Sequence, residues 1–247
     1  MSAHPQSWVV VSGAGGALGS SLAAHYAAKG YPVLGLDRRL DRLHGEAVPR
    51  VTGKAIDLVS EQEVCDGLAS VLGDAGRVGL LINAVGLIWN EPLISFRLGK
   101  ITPHSMDSWR RVIDANLTAA FIVATLIAAR MARSGGGAIV NFSSIASSGN
   151  IGQAAYGAAK AGIEGLTRAM AVELGPMGVR VNALALGFID VETTRAALSA
   201  DRLQDHVERT PLHRMGRLAE VISAVEFLET NEFVNGEVVR IDGGIHL

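Results

Sequence analysis

Short apolar runs alternate with stretches of helical spacing from one end of the chain to the other. Trp8-Val9-Val10-Val11 is apolar and ends in a glycine cluster. Ala17 to Lys29 has helical periodicity and stops at Gly30, a residue suited to the position just past a helix. Pro32 to Leu36 reads as a second strand that ends at Asp37, Thr52 to Ile56 as a third and Gly79 to Asn83 as a fourth. A helix is expected over Val59 to Leu72 and a long one over Asp107 to Ala132. Ala138 to Phe142 and Val179 to Ala183 read as strands, with a helix from Ala155 to Leu174 between them. A helix over Arg217 to Glu229 and a strand over Glu237 to Ile241 complete the chain.

Continuous apolar strands separated by helices imply right-handed βαβ units around a buried parallel sheet, an α/β fold. No linker or change of composition divides the 247 residues, which suits one large α/β domain. Apolar residues make up 49% and charged residues 19%, enough to build a core and too little charge for a disordered chain. The 29 glycines and few aromatics fit tight turns and closely packed helices.

A formal charge of −2 gives no electrostatic case for nucleic acid or an anionic membrane. The N-terminus lacks a basic segment ahead of an apolar one, and the most apolar helix candidate, Leu117 to Ala129, is too short for a bilayer. A cytoplasmic protein is expected. The lone cysteine, Cys65, cannot form an intrachain disulfide and reads as a core-facing helix residue. The seven histidines form no HxxxH or HExxH pattern, so no metal site is expected.

Three patterns carry chemistry. The first turn, Ser12-Gly13-Ala14-Gly15-Gly16-Ala17-Leu18-Gly19, joins a strand to a helix. There, residues without side chains let backbone N–H groups approach a pyrophosphate, and the helix N-terminus adds partial positive charge. Asp37 ends the second strand, where a carboxylate would bind the adenosine ribose hydroxyls and repel a 2′-phosphate, favouring NAD. Arg38 and Arg39 follow at once; they could attract that phosphate or form a solvated turn, with Arg38 stacked on adenine. Tyr156 and Lys160 lie four apart on one helix face, and Ser143 and Ser144 end the strand before it. An ammonium beside a phenol favours the phenolate, which would let Tyr156 titrate nearer neutral pH and act as a general acid/base. A serine hydroxyl at the strand end would hold the substrate oxygen. Spacing to Tyr156 favours Ser143, whereas the apolar Ile145 that follows favours Ser144.

Taken together, these motifs resemble those of the short-chain dehydrogenase/reductases over essentially the whole chain. Ser12-Gly13 through Gly19 is similar to the family's glycine turn, Asn83-Ala84-Val85-Gly86 to its NNAG strand end and Asp114-Ala115-Asn116-Leu117 to its helix-borne asparagine. Ser144, Tyr156 and Lys160 match the rest of its catalytic tetrad, Leu186-Gly187 its Pro-Gly turn and Ile241 to Gly244 its last strand end. The resemblance implies a single doubly wound, Rossmann-type domain with a seven-stranded parallel sheet, usually in a homotetramer. Tyr156 would be the acid/base, Lys160 would hold the nicotinamide ribose and lower the phenol's pKa, and Asn116 would hold a proton-relaying water. Asp57 and Leu58 would contact adenine. Asn83 and Gly86 would lie along the cofactor, and Gly187 and Ile189 near its nicotinamide. Within the family, Gly152 to Tyr156 and Asn231 to Gly243 resemble the type II 3-hydroxyacyl-CoA dehydrogenases.

The expected activity is therefore transfer of a hydride between NAD and a small-molecule secondary alcohol or its ketone. Residues 188–213 would cover the substrate as a lid with helices. Leu87 to Ser105, with Trp89, Ile94, Phe96 and Leu98, would be an apolar wall or simply a packed surface loop. Three positions depart from the family pattern: Ala17 for the middle glycine of the turn, Leu186 for the proline, and Val191 for a threonine that contacts the nicotinamide amide. Those departures support one rival reading, a cofactor-binding regulator without turnover.

Overall fold

The computed structural model describes residues 7–44, 49–97, 99–197 and 200–245. Its main sheet has seven strands: β1 (Trp8–Ser12), β2 (Val33–Asp37), β3 (Val51–Ala55), β4 (Val78–Asn83), β7 (Gly137–Ser144), β8 (Val179–Leu186) and β9 (Val238–Ile241). Every neighbouring pair is parallel, in the order β3-β2-β1-β4-β7-β8-β9. The order reverses between β1 and β4, so their carboxyl ends part to leave the crevice that a doubly wound sheet offers a ligand.

Helices cover both faces. On one side α1 (Ala17–Ala28) and α9 (Leu218–Thr230) bury Leu22, Tyr26, Val221, Val225 and Leu228 against Val9, Val11, Leu80 and Val140. On the other, α3 (Glu61–Leu72), α5 (Ala119–Arg133) and α6 (Ala154–Leu174) bury Leu68, Ile127, Met131 and Met170 against Val10, Leu34, Leu81 and Ile139. Successive strand residues point to opposite faces, so strands apolar at every position feed both cores at once.

A chain of polar groups crosses the middle of the sheet. Ser12 Oγ donates to Asn83 Oδ1 at 2.9 Å, Asn83 Nδ2 to Asn141 Oδ1 at 2.9 Å and Asn141 Nδ2 to Thr167 Oγ1 at 2.9 Å. Thr167 then donates to the Ile163 carbonyl at 2.8 Å. Each member is fully or almost fully buried, and each is satisfied. The network ties β1, β4, β7 and α6 together directly beneath the crevice.

Several features differ from the sequence pattern. The helix expected over 107–132 is α4 (Met106–Ile113) and α5, joined through one widened π turn at Asp114–Thr118. Together they form a continuous helical stretch of 28 residues, Met106–Arg133, so the expectation that it is too short for a bilayer fails. Its apolar side is accounted for by packing instead, with Ala120, Val123, Ala124, Ile127 and Met131 set against the sheet. Cys65 is exposed, because the buried side of α3 is carried by Val64, Gly67, Leu68 and Leu72.

Residues 94–103 form a second, two-stranded antiparallel sheet, β5 (Ile94–Arg97) and β6 (Lys100–Pro103), that the sequence pattern did not reveal. Leu98 lies outside the described residues. A short helix α2 (Asp41–His44) follows β2, and α7 (Glu192–Ala197) and α8 (Ala200–Arg209) occupy the 188–213 segment.

Candidate active site

The glycine turn leaves the end of β1 with Gly13 at φ +72°, a conformation that side chains rarely adopt. A Cβ on Gly19 would lie 2.2 Å from the Gly13 carbonyl oxygen, and one on Gly15 would lie 1.8 Å from the Arg39 carbonyl oxygen. The turn therefore requires glycine at these positions for its own packing. Helix α1 begins after Gly16 with no side chain capping its first N–H groups. An uncapped helix start at the mouth of the crevice fits the pyrophosphate of a dinucleotide. Leu18 follows in the first turn and packs against the core. Ala17 lies at the start of the helix, half-buried.

The Asp37 carboxylate closes this end of the crevice. It accepts from Gly15 N–H at 3.0 Å and from Arg39 N–H at 3.1 Å. Arg38 is drawn away to Asp57, at 2.8 Å. Asp57 also accepts from Val59 N–H, and although partial burial pushes the other way, these bonds hold its carboxyl below the ordinary range. Leu58 beside it is buried. The side chains of Ser12 and Asn83 are spent in the buried network, which leaves only their backbones to face a ligand.

At the carboxyl ends of β4 and β7, four elements converge. Gly86 follows β4, and a Cβ there would lie 2.9 Å from Asn116 Oδ1 and 3.4 Å from Lys160 Nζ. Asn116 sits on the π turn, fully buried, where Nδ2 donates to the carbonyls of Leu87 and Val112, both at 2.9 Å, and Oδ1 accepts from Leu87 N–H at 3.2 Å. Extra-wide turns of this kind recur at functional sites because they re-aim one side chain without ending the helix. Here the turn pins the strand exit beside Lys160.

The two serines separate cleanly. Ser143 is turned toward α6, with Oγ 3.2 Å from the Lys160 carbonyl and 2.9 Å from Glu164 Oε1. Ser144 points the other way, accepts from Ala146 N–H at 3.2 Å and shares a hydrogen bond with Tyr156. The geometry therefore favours Ser144. The alternation along β7 held this answer, because Ile139, Asn141 and Ser143 share the face that α6 covers.

Tyr156 and Lys160 are both buried, with the Lys160 ammonium 5.6 Å from the phenol ring centre. Lys160 Nζ donates to the Phe142 carbonyl at 2.8 Å. Burial pushes its pKa down to about 8. Burial likewise raises the Tyr156 phenol above its ordinary value of 10.0, against a smaller opposing effect from the Ser144 hydrogen bond. The expected lowering of the phenol is thus corrected. Desolvation acts on both groups, and the lysine charge is itself weakened by the burial that brings it close.

A wall stands beside the tyrosine. Trp89 packs with Val112, Ala146, Ala155 and Tyr156, and the Arg111 guanidinium lies 5.0 Å from its ring centre. Glu91 organises the segment, accepting from Ser105 N–H at 2.7 Å, from Trp89 Nε1 at 3.0 Å and from the Ser108 hydroxyl. No local motif marks Glu91, because Ser105 and Ser108 reach it from the far side of the β5–β6 hairpin.

Those bonds, the Ser105 N–H first, hold the Glu91 carboxyl at about 2, below its ordinary 4.5. A depressed carboxyl stabilises the fold above its unfolded pKa and loses that contribution as pH falls through the folded one. The wall should therefore loosen as pH drops from about 4.5 toward about 2. Trp89 fluorescence, taken as the difference between wild type and Trp89→Phe, should report this, and Glu91→Gln should remove the transition.

The rest of the predicted site lies around the end of β8. Leu186 continues β8 in register with Ile241, so the strand is complete without the proline. Gly187 packs on Asp242, 2.8 Å from where a Cβ would sit, and its N–H donates to the Ile241 carbonyl. Ile189 is buried and bridges to Gly216. Val191 packs against the core at the start of α7, and its carbonyl accepts from Thr194 and Arg195 N–H. The Thr193 side chain lies outside those described.

The fold and these residues find a match among known proteins. The family model described as enoyl-(acyl carrier protein) reductase matches residues 13–246. The short-chain reductase protein NovJ of Streptomyces niveus is 32% identical over 97% of this chain and 94% of its own length. The chain belongs to the short-chain dehydrogenase/reductase family. Human 3-hydroxyacyl-CoA dehydrogenase type-2 is likewise 32% identical, over 96% of this chain and 94% of its own. The structure of a 7α-hydroxysteroid dehydrogenase with NADH and 7-oxo glycochenodeoxycholic acid superposes with a TM-score of 0.88 at 26% identity, covering 97% and 94% of the two chains. As a short-chain dehydrogenase/reductase, this chain is an oxidoreductase that interconverts an alcohol and its ketone.

Proposed function

We propose that the protein is an NAD-dependent dehydrogenase of secondary alcohols, with Asn116, Ser144, Tyr156 and Lys160 as its catalytic set. The observation that carries this reading is the hydrogen bond between Ser144 and the buried Tyr156, beside the buried Lys160 at the mouth of the nicotinamide-type crevice. Bound nicotinamide supplies the hydride donor or acceptor. The protein supplies the proton. Ser144 and Tyr156 together fix the substrate oxygen, and in the reductive direction the Tyr156 hydroxyl gives its proton to the oxygen as negative charge develops there. In the oxidative direction the phenolate removes the same proton. Lys160, held by the Phe142 carbonyl, provides a donor for the nicotinamide ribose and, while it is protonated, a positive charge that favours loss of the phenol's proton. Asn116 and Gly86 keep the strand exit clear beside it.

The raised phenol pKa supports this division of labour. At neutral pH the free enzyme holds the protonated tyrosine that reduction requires, and oxidation gains as pH rises.

Two observations support NAD. Asp37 sets its carboxylate against the glycine turn, and Arg38 is engaged with Asp57, away from any 2′-phosphate. Asp37→Ser is expected to move kcat/KM toward NADP by tenfold or more on the order of the discrimination a charged contact gives. Equal kcat/KM for the two cofactors in the wild type would contradict the assignment.

We further infer one catalytic domain spanning 1–247, in which the 188–213 segment acts as a lid. Phe188 stacked on His206 at 3.8 Å supports the lid reading, since it ties the start of the segment to α8. The Trp89 wall suits an extended substrate such as a 3-hydroxyacyl thioester. Exposed Phe121, Val172 and Phe233 support association into a homo-oligomer, for which the family suggests a tetramer. Turnover measured on a panel of 3-hydroxyacyl thioesters, hydroxysteroids and sugar acids tests the substrate class.

A further inference from the structure

At the opposite edge of the sheet, where the strands begin, a recess of about 140 Å³ is lined by Ser7, Arg77, Gly79, the run Gly135–Ala138, Gly178, Arg180 and Glu229. It is far too small for a dinucleotide or an extended substrate. Its charge is unusual for the foot of a parallel sheet. Arg180 is committed to the fold, donating to the carbonyls of Leu228 at 2.7 Å, Glu229 at 2.6 Å and Val234 at 3.2 Å. Its Nε remains uncommitted. Glu229, buried, accepts from the Tyr26 hydroxyl at 2.7 Å.

Arg77 has no such use. Its guanidinium makes no hydrogen bond or ion pair among the described residues, and its Nε is sealed from solvent without an acceptor. The sealed Nε is out of reach of a ligand, but the two terminal nitrogens of Arg77 have no protein acceptor among the described residues and belong to a side chain that lines the recess. Around it the lining presents glycine backbone, which leaves room at the level of the main chain. Two guanidinium groups against one carboxylate leave the recess with a net positive charge.

We propose that this recess binds a phosphate-sized oxyanion, held by the terminal guanidinium nitrogens of Arg77, with the Arg180 guanidinium beside them in the lining. Planar guanidinium groups match oxyanions through paired N–H donors, and a tetrahedral anion fits the available volume. Glu229 sets the limit of the site. Its carboxylate, turned to Tyr26, excludes larger polyanions that would reach it. The bound ion would join the starts of β1, β4, β7 and β8 to the end of α9, away from the crevice and independent of turnover.

The test is calorimetric titration of sodium phosphate into the enzyme saturated with NADH, so that the cofactor crevice is filled, at constant ionic strength. One saturable site per chain is expected. Arg77→Gln should weaken it at least about tenfold with kcat unchanged, and Arg77→Lys, which keeps a point charge, should weaken it less. A parallel titration with acetate separates the sources of the chemistry. Binding of acetate with the same Arg77 dependence supports the site and assigns it to carboxylates as well, whereas phosphate alone assigns it to tetrahedral anions. Absence of saturable heat in the wild type with either anion overturns the proposal, as does an Arg77→Gln variant that binds as tightly as the wild type.

Discussion

Replacing Tyr156 by phenylalanine is expected to lower kcat by roughly 10²- to 10⁴-fold, the range that a positioned general acid/base supplies. The ring is buried against Trp89, Val112, Ala146 and Ala155, and phenylalanine keeps that packing while removing only the hydroxyl. NAD affinity should therefore hardly change, since the glycine turn, Asp37 and Lys160 are untouched. In kinetic terms kcat and kcat/KM fall together, the signature of an interaction made in the transition state. A variant that keeps more than about a tenth of wild-type kcat would show that the proton travels by another route.

Lys160 should produce the second large effect, and it divides between activity and stability. Lys160→Met should abolish most turnover and weaken cofactor binding, because it removes the charge beside the phenol and the ribose donor together. Its stability should move differently with pH. The unfolded lysine keeps its proton up to about 10.5, whereas the buried one releases it near 8. Between those values the unfolded state binds more protons, so wild-type stability rises with pH relative to a variant that lacks the group. The shift corresponds to roughly 3 kcal/mol. Denaturant unfolding at pH values on either side of this window should show the wild type gaining on Lys160→Met by about that amount. An unchanged difference would mean that Lys160 is solvated and not held in a dry site. A large change in the opposite direction would mean that a counter-charge raises its pKa. The cost of holding a buried ammonium at neutral pH is the kind of local instability that active sites retain for function.

Much of this site is written in short-range pattern, and that part is legible in the sequence. The glycine turn is local, and so is the spacing that stacks Lys160 on Tyr156. Asp37 is found by its place at a strand end. The positions that resist reading depend on the third dimension. Glu91 meets Ser105 and Ser108 only because a hairpin folds back, and that hairpin carries its apolar Ile94, Phe96 and Ile101 outward, so burial gives no signal for it. The π turn at Asp114–Thr118 breaks no helical periodicity that a sequence shows. The phenol's pKa moves opposite to what the sequence predicts, because spacing announces the neighbouring charge and says nothing of how dry the site is. Asn83 and Ser12 fall where a cofactor contact is expected, yet their side chains turn inward to complete the network under the crevice. Ser143 against Ser144 is a different case, since the face of β7 that α6 covers decides it.

The most direct test of the central claim follows the reduced-nicotinamide absorbance of purified protein given NAD and a panel of secondary alcohols, with Tyr156→Phe alongside. The account predicts turnover of at least one alcohol by the wild type, rising with pH, and its near-complete loss in the variant while NAD still binds. Tight NAD binding with no turnover of any alcohol, or of any ketone with NADH, would contradict it and favour a regulatory protein built on the same fold.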